Sequence, residues 1–392
     1  MSQAPLDTTS LEKVVAPFGE NRTLTADAYT SREVFDWEME NLFRSTWVCV
    51  GRGDELVGPG QIRAIEVAGE GVLLARDRDG ALTAFSNVCR HRGHELAPVG
   101  EAIDARLIRC PYHSWSYRFN GDLRAAPTFT QTPNFDMSEF PLIGIAATEY
   151  MGWIWVDLSG EAKPIEDHFG NLAEKAEPYE TERLSTGAVH SYVVDANWKI
   201  VVENYNECYH CSSIHPELCE VTPTDSGYDH VPTGIWCGGT MTLKDHAVTM
   251  SLDGASNGVN FRNVDAELAR HVWYITVIPN LLLSMHPDYV MTHRLVPLSP
   301  DQTFIECSWL FPPETFEKEG FDPAYAVDFW DITNREDWTA CENVMKGVRH
   351  KGYRPGPLSS WEGTVYQFLA VIGHLYLGEG LVIPEVPVRE LR

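Results

Sequence analysis

Asn87-Val88-Cys89-Arg90-His91-Arg92-Gly93 and its counterpart Cys110-Pro111-Tyr112-His113-Ser114-Trp115 determine how the first part of this 392-residue chain must fold. Each stretch pairs one thiolate with one imidazole, so Cys89, His91, Cys110 and His113 together offer two sulfur and two nitrogen ligands. A [2Fe–2S] cluster with two Cys on one iron and two His on the other uses this set. Imidazole is neutral where thiolate is anionic. Such a cluster therefore has a higher potential than an all-Cys one and suits taking an electron from a reductase and passing it on. Structural zinc also takes Cys₂His₂, but zinc fingers segregate a Cys pair from a His pair, whereas each pair here is mixed. Gly93 and Pro111 favour tight turns at the ligands, where backbone amides and Ser114 are expected to bond the sulfurs. Asp79-Gly80 and Asn120-Gly121 are hairpin turn signals. They flank the strand-like runs Val72-Leu73-Leu74-Ala75 and Ser116-Tyr117-Arg118-Phe119. The sum is a small antiparallel β domain with two loops clasping a metal cluster.

From about Trp47 to Trp155 the chain resembles the Rieske [2Fe–2S] domain of the ring-hydroxylating oxygenases. On that resemblance Tyr112 and Trp115 shield the cluster, although ordinary core packing accounts for them equally well. The Rieske domain is expected over residues 45–158. Residues 1–44 and 159–392 are expected to form a second domain with an N-terminal helical arm.

The second constellation lies in Asn197-Trp198-Lys199-Ile200-Val201-Val202-Glu203-Asn204-Tyr205-Asn206-Glu207-Cys208-Tyr209-His210. Apolar residues at 198, 201, 202, 205 and 209 predict a helix, and Glu207 and His210, three apart, would share a face of it. His215 follows five residues on, about 140° round an ideal helix and too far to share a metal with His210. The helix must therefore loosen or end near Cys211-Ser212-Ser213, and Pro216 supports a stop. Two His meeting at such a break can hold a metal; an isolated pair is as readily a core or surface feature.

Glu-x-x-His-x-x-x-x-His after Asn-Trp-Lys resembles the mononuclear iron motif of the same oxygenases. The resemblance implies that His210 and His215 join a distant carboxylate in the facial triad of a non-haem Fe(II), leaving positions open for O₂. Asn334-Arg335-Glu336-Asp337-Trp338 matches the family's acidic pair on a C-terminal helix, which makes Asp337 the expected ligand and Glu336 its substitute. Glu207 stands where the family carries a carboxylate, usually Asp and in some members Glu. That group links a cluster His of one subunit to an iron His of its neighbour and fixes the tautomers of both rings. Asn204, in the same motif, is grouped with Glu207 among the catalytic candidates.

Composition is compatible with this reading. Nine Cys is an odd number, and two of them belong to the cluster. Cys49, Cys208, Cys211, Cys219, Cys237, Cys307 and Cys341 read as reduced, buried thiols of a cytoplasmic protein, with no signal peptide before Met1-Ser2-Gln3-Ala4. Cys208 and Cys211 flank His210 as Cys-x-x-Cys, with a redox or metal pair as the alternative. No apolar run reaches the ~20 residues of a membrane span. A net charge of −26 argues against a nucleic-acid partner and for solubility, and an acidic surface suits a basic reductase patch.

Thr30-Ser31-Arg32-Glu33 is a capping box that predicts an N-terminal helix carrying Val34, Trp37 and Phe43. The β domain ends near Trp153-Ile154-Trp155-Val156, and a Pro- and acid-rich linker runs from Glu161 to Glu182. Strand-like runs near 272–278, 280–285, 289–297 and 303–311 predict an antiparallel sheet, with a long helix around 323–349 packed across it. The chain is thus α+β. The resemblance implies that its second domain is a helix-over-curved-antiparallel-sheet fold (helix-grip, START-like) with iron between helix and sheet. Pro384, Pro387 and the charged end suggest a terminal arm at a subunit contact.

By the same resemblance the chain is a terminal oxygenase component, mono- or dioxygenase, in a head-to-tail homotrimer. NAD(P)H electrons reach its cluster through a flavin/iron–sulfur reductase or a ferredoxin. The segments 203–211 and 286–293 look like the subgroup acting on glycine betaine, carnitine, stachydrine and related quaternary amines, which hydroxylates or N-demethylates. An aromatic cage suits that chemistry, since a methylated ammonium over Trp or Tyr gains ~0.5–2 kcal/mol. Trp236, Trp273 and Tyr274 are the cage candidates, against ordinary core aromatics. The alternatives are hydroxylation of an aromatic acid or other arene, an electron-transfer protein without iron chemistry, and a zinc hydrolase, for which no His-Glu-x-x-His helix is present.

Overall fold

A computed structural model describes residues 2–384. The chain divides into two compact units, residues 39–165 and residues 1–38 with 166–392, so the cuts fall at 39 and 165 rather than 45 and 158.

The smaller unit is antiparallel throughout. Its larger sheet runs, in spatial order, Val48–Arg52, Trp153–Asp157, Gly144–Tyr150, Leu82–Ser86, Glu70–Arg76, Gln61–Val67 and Ile103–Asp104. A three-stranded sheet of Ile108–Arg109, Ser116–Tyr117 and Leu123–Ala125 stands apart from it. Gly80 and Gly121 both take positive φ, at 91° and 89°, as the hairpin signals require. At Gly121 a Cβ would also lie 2.6 Å from the Phe85 ring. Leu73, Ala75, Ile108 and Tyr117 form a fully buried core beneath the Cys loops.

The larger unit is built on a seven-stranded antiparallel sheet. Its strands are β1 (Ser185–Val194), β2 (Tyr228–Asp229), β3 (Trp236–Thr242), β4 (His271–Val277), β5 (Leu281–Met285), β6 (Val290–Ser299) and β7 (Gln302–Phe311), in the spatial order β1-β7-β6-β5-β4-β3-β2. Helices α1 (Trp198–Tyr205), α2 (Cys211–Ile214), α3 (Pro216–Val221), α4 (Ala324–Val348) and α5 (Gly363–Tyr376) complete the site-bearing half. Strand alternation aims Thr276 of β4, Ser284 of β5 and His293 of β6 at the helices. Asn206 Nδ2 donates to Thr276 Oγ1 at 3.0 Å, and the Tyr205 hydroxyl meets Ser284 Oγ at 2.8 Å. His293 Nε2 lies 2.9 Å from Asn334 Oδ1 of α4.

Three local expectations shift. The N-terminal helix runs Arg32–Glu38 and is capped one residue later than the capping box implies. Ser31 Oγ accepts from the Val34 amide, whereas the Thr30 hydroxyl turns back to the Ala26 carbonyl at 3.0 Å. The supposed linker is structured, with short helices Ile165–Phe169 and Leu172–Ala176. Phe169, Leu172, Ala176 and Tyr179 are buried at helical spacing, a signal the Pro and acid content obscured. Helix α5 had no counterpart among the expected elements. It is apolar nearly all round, so it shows no amphipathic period to detect. Of the expected C-terminal arm, Pro387 lies outside the described residues.

A buried ion pair ties the N-terminal segment to the sheet-crossing helices. Lys199 Nζ of α1 donates to Glu38 Oε1 at 2.5 Å, with the two side chains 0% and 1% exposed. The Trp198 indole donates to Glu38 Oε2 at 2.9 Å, and the Tyr376 hydroxyl of α5 donates to the same carboxylate.

Candidate metal centres and active site

Both Cys loops of the smaller unit close in the same way. The Cys89 amide donates to the His94 carbonyl and Gly93 N–H returns to Cys89 O, at 2.8 and 3.0 Å. In the second loop Cys110 N–H donates to Trp115 O and Ser114 N–H to Cys110 O, at 2.8 and 3.1 Å. Gly93 and Ser114 supply the positive φ, 72° and 62°, that turns each loop. The result buries both thiols and sets the His91 and His113 rings 4.7 Å apart. His91 Nδ1 is buried without a hydrogen-bond partner. An orphaned imidazole nitrogen beside two buried thiols fits a cluster ligand set, since such a nitrogen is otherwise costly to bury. Trp115 stacks on the His91 ring at 5.0 Å and is itself buried, while Tyr112 lies on His113 and is 54% exposed.

Ser114 does not bond a sulfur. Its hydroxyl instead accepts from the Arg109 guanidinium at 2.8 Å. The group that reaches a sulfur is Tyr117, whose hydroxyl lies 3.4 Å from Cys89 Sγ and accepts from the Arg90 amide at 3.1 Å. Burial raises the Cys89 pKa, and the Tyr117 hydroxyl works against that rise. The sequence places Tyr117 only in a strand, because nothing local says which way its side chain points.

In the larger unit α1 stops at Tyr205, a full turn sooner than its apolar spacing suggests. Asn206 ends it by folding its Nδ2 back onto the Val202 carbonyl at 2.8 Å. Residues 206–210 form a turn, and His215 sits at the junction of α2 and α3, before Pro216. The breaks bring His210 Nε2 and His215 Nε2 to 3.2 Å. Asp337, on α4, places Oδ1 3.0 Å from His215 Nε2 and 3.3 Å from His210 Nε2. The neighbouring Glu336 takes the other nitrogen of His215, Nδ1, at 2.7 Å. Glu207 does the same for His210 Nδ1 at 2.5 Å, and its second oxygen accepts from the Tyr209 and His210 amides. Three donor atoms thus converge, with each imidazole steered from behind by its own carboxylate. This is the donor set of a facial divalent-metal site with neutral rings.

The surrounding carboxylates favour positive charge at the two rings, charge that a bound divalent ion would supply in place of the ring protons. Burial opposes charge on the His210 ring, but Asp337 and Glu207 outweigh it and lift the ring to about 10. His215 is also raised, with Asp337 and Glu336 prevailing over burial. Asp337 is held down to about 2, because the two rings outweigh the burial that pushes it up.

Cys208 and Cys211 are joined in a disulfide, Cα atoms 4.9 Å apart, and not reduced as expected. The turn that ends α1 folds one over the other. Cys219 is partly exposed and not buried.

A cavity of about 830 Å³, including its open mouth, lies against the His210–His215–Asp337 cluster. Asn204 and Glu207 line it, as do the rings of Tyr205, Tyr228, Tyr274, Trp330 and Trp361. Its charged lining, apart from the two imidazoles, is Glu207, Asp229 and Asp337. Among the described residues no Lys or Arg lines it. Of the three expected cage residues only Tyr274 is on this wall. Trp273 precedes it on β4 and so faces the opposite side of the sheet, stacked on His230 at 4.4 Å. Trp236 is fully buried and, two strand repeats from Thr240, shares the side of Trp273, which pairs with Thr240. Tyr205, Tyr228, Trp330 and Trp361 come from four separate elements or loops, and only the folded chain assembles them.

Residues 46–136 match the Rieske [2Fe-2S] domain family, and residues 181–377 match the ring hydroxylating alpha subunit (catalytic domain) family. The chain belongs to the Rieske-type ring-hydroxylating oxygenases, as an alpha (oxygenase) subunit. Among its relatives, the glycine betaine monooxygenase oxygenase subunit of Chromohalobacter salexigens is 30% identical, over 89% of this chain and 84% of that one. The carnitine monooxygenase oxygenase subunit of Escherichia coli is 31% identical, over 85% and 86%. The fold is also that of the quaternary ammonium Rieske monooxygenase CntA solved with L-carnitine, with TM-score 0.77, 23% identity and coverage of 96% of this chain and 100% of that one. Naphthalene 1,2-dioxygenase shares it as well, with TM-score 0.74, 20% identity and 95% coverage of both chains. This is therefore an oxidoreductase that works with a Rieske [2Fe–2S] cluster and a non-haem iron, uses O₂, takes electrons from a reductase and acts on a small molecule. No described helix is long and apolar enough to cross a membrane.

Proposed function

We propose that this chain is a monooxygenase component that hydroxylates, or through hydroxylation N-demethylates, a small quaternary ammonium compound. The cavity carries this reading: five aromatic rings and three carboxylates, with no Lys or Arg among the described lining, open onto His210, His215 and Asp337. A methylated ammonium offers no N–H to a hydrogen-bond acceptor. Ring faces and negative charge hold it, each well-placed ring contributing ~0.5–2 kcal/mol. Relatives at 30 and 31% identity carry names of this substrate class.

In this reading Cys89, His91, Cys110 and His113 hold the cluster, and His210, His215 and Asp337 hold the iron. When bound, the cluster supplies electrons singly and the iron supplies O₂ activation. Glu207 and Glu336 accept the Nδ1–H protons of His210 and His215, which keeps both Nε2 lone pairs free for the metal. Tyr205, Tyr228 and Trp330 position the methylated head and exclude water around the reacting C–H, and Asn204 lines the same wall. Overall, one oxygen atom enters the C–H bond while the other leaves as water, with two electrons and two protons consumed. A hydroxylated N-methyl then breaks its C–N bond to release formaldehyde and the demethylated amine.

We further assign a head-to-tail homotrimer in which Glu207 links His210 to a cluster histidine of the next subunit, fed by a flavin/iron–sulfur reductase or a ferredoxin. Its dependence on NAD(P)H electrons supports a cytoplasmic setting. An anaerobically reduced sample mixed with O₂ and a panel of quaternary amines and aromatic acids tests the whole reading by mass spectrometry and a formaldehyde assay. Formaldehyde or a hydroxylated amine is expected. Oxygenated rings, mono- or dihydroxylated, with the amines untouched would replace this reading by arene oxygenation.

A further inference from the structure

The imidazoles that meet Asp337 also belong to a second, overlapping set of donors. Cys211 Sγ lies 4.0 Å from His210 Nε2, the same nitrogen that faces Asp337. The Cys211 sulfur and the ligand nitrogens of His210 and His215 all lie within 4.8 Å of one another. A divalent ion with a sulfur at about 2.3 Å and a nitrogen at about 2.1 Å spans up to about 4.4 Å between them. His210, His215 and Cys211 are therefore within a side-chain adjustment of holding one ion.

The disulfide withholds that sulfur. The thiolate is the metal-binding form of cysteine, and Cys211 cannot offer one while it is bonded to Cys208. Both cysteines line the cavity, Cys208 partly exposed and Cys211 buried. A dithiol reductant therefore meets Cys208 first, forms a mixed disulfide there and releases the Cys211 sulfur beside the His pair. The reductant's second thiol then frees Cys208. The Cys208–Cys211 bond is broken, two electrons and two protons pass to the pair, and the dithiol leaves as a disulfide. In the cytoplasmic setting proposed above, a disulfide is a redox element rather than a structural staple.

We propose that Cys211 is a redox-gated alternative metal ligand: as a disulfide the pair leaves His210, His215 and Asp337 to iron, and as a dithiol it lets Cys211 join the two imidazoles in a softer site that takes zinc. The proposal rests on the assignment of His210, His215 and Asp337 as the metal triad and is independent of the substrate. Two imidazoles and a carboxylate suit non-haem Fe(II), whereas a thiolate in the set moves the preference towards Zn²⁺. Zinc has no redox chemistry of its own, so the dithiol form would hold the centre silent.

Zinc competition against a coloured chelator, with zinc K-edge X-ray absorption, tests this on the chain with its cluster in place and the mononuclear site emptied by chelation. The samples are the chain oxidised with diamide, the chain reduced with tris(2-carboxyethyl)phosphine, Cys208→Ser and Cys211→Ser. Alkylation and mass spectrometry count the free thiols of each. The reduced chain and Cys208→Ser are expected to bind zinc at least about tenfold more tightly than the oxidised chain, and to show a sulfur at about 2.3 Å from the ion. Cys211→Ser is expected to match the oxidised chain, with nitrogen and oxygen ligands alone. A zinc–sulfur contact absent from both open-thiol forms, or one that survives Cys211→Ser, overturns the proposal and leaves the triad standing. A thiol count that diamide leaves unchanged removes the gate. Zinc held by no imidazole in any sample removes the triad as well.

Discussion

Replacing Lys199 by Met should be among the most costly single changes in the larger unit. The ammonium and the Glu38 carboxylate lie 2.5 Å apart with almost no solvent contact. At an effective dielectric of ~20, charges about 2.5 Å apart attract by about 6–7 kcal/mol, most of which repays their desolvation. Lys199→Met removes the attraction but leaves the desolvated carboxylate with only the Trp198 indole and the Tyr376 hydroxyl to satisfy it. Breaking one side of such a pair costs about 3–5 kcal/mol. Spread over the unfolding entropy of a unit of about 265 residues, that is a fall of about 5–9 °C in Tm. The double change Glu38→Gln with Lys199→Met should recover much of it, since the amide oxygen can accept from the Trp198 indole and its NH2 can donate to the Tyr376 hydroxyl oxygen, without a charge to bury. Differential scanning calorimetry and urea titration of the wild type, the two single variants and the double variant give the coupling energy directly. A loss below about 1 kcal/mol in Lys199→Met, or a double variant no better than the worse single one, would refute the reasoning.

Other measurements probe the two metal centres and the buried histidines. Glu207→Gln should keep full iron and cluster content yet lose at least about a hundred-fold in turnover, because the amide no longer orients the His210 ring; metal analysis beside rate measurement checks it, and wild-type turnover would sink the role. Tyr117→Phe removes the hydroxyl 3.4 Å from Cys89 Sγ. A net hydrogen bond of about 1 kcal/mol to the electron-rich sulfur corresponds to about 40 mV, so the cluster potential should fall by that much in spectroelectrochemical titration. Burial lowers His168 to about 4 and His286 to about 3, against the weaker pull of the Ile278 and Tyr289 backbones. The unfolded chain binds these protons below about 6.5 and the folded chain does not, so stability is complete above that pH and declines as pH falls towards 4. Each ring should cost about 2 kcal/mol at pH 5, and a urea midpoint unchanged between pH 7.5 and 5 would count against it.

The two metal motifs were legible because their ligands are close in sequence and their geometry is local. Cys89 and His91 share one turn, and Cys110 and His113 another. A five-residue spacing with Pro216 behind it already implied that the helix had to break between His210 and His215. The role of Glu336 was not legible. Adjacent acids on α4 differ by about 100° in direction, and only packing against His215 shows which oxygen meets Nε2 and which meets Nδ1. The cage suffered most. Trp273 and Tyr274 are consecutive on a strand, so at most one could face the helices, and that choice depends on β3, β5 and α1 together. The substrate wall is a non-local object, drawn from α1, β2, β4, α4 and the loop at Trp361. The Cys208–Cys211 bond was offered as an alternative by its spacing, but the turn that closes it follows from how Asn206 ends α1.

Residues 1–38 and 166–392 make one unit, and residues 39–165 are a second unit carried within it. In terms of chain architecture the electron-delivering half is an insertion, entered at Met39 and left at Ile165, immediately after the carboxylate that neutralises Lys199. That arrangement makes 39–165 a cassette, exchangeable for the equivalent piece of another oxygenase as long as the splice leaves Glu38 in place. It also sets a limit on truncation. A fragment beginning at residue 166 would retain the iron motif but leave the buried Lys199 ammonium without the carboxylate it is paired with, so a trimmed oxygenase unit has to keep the first 38 residues, joined or added in trans.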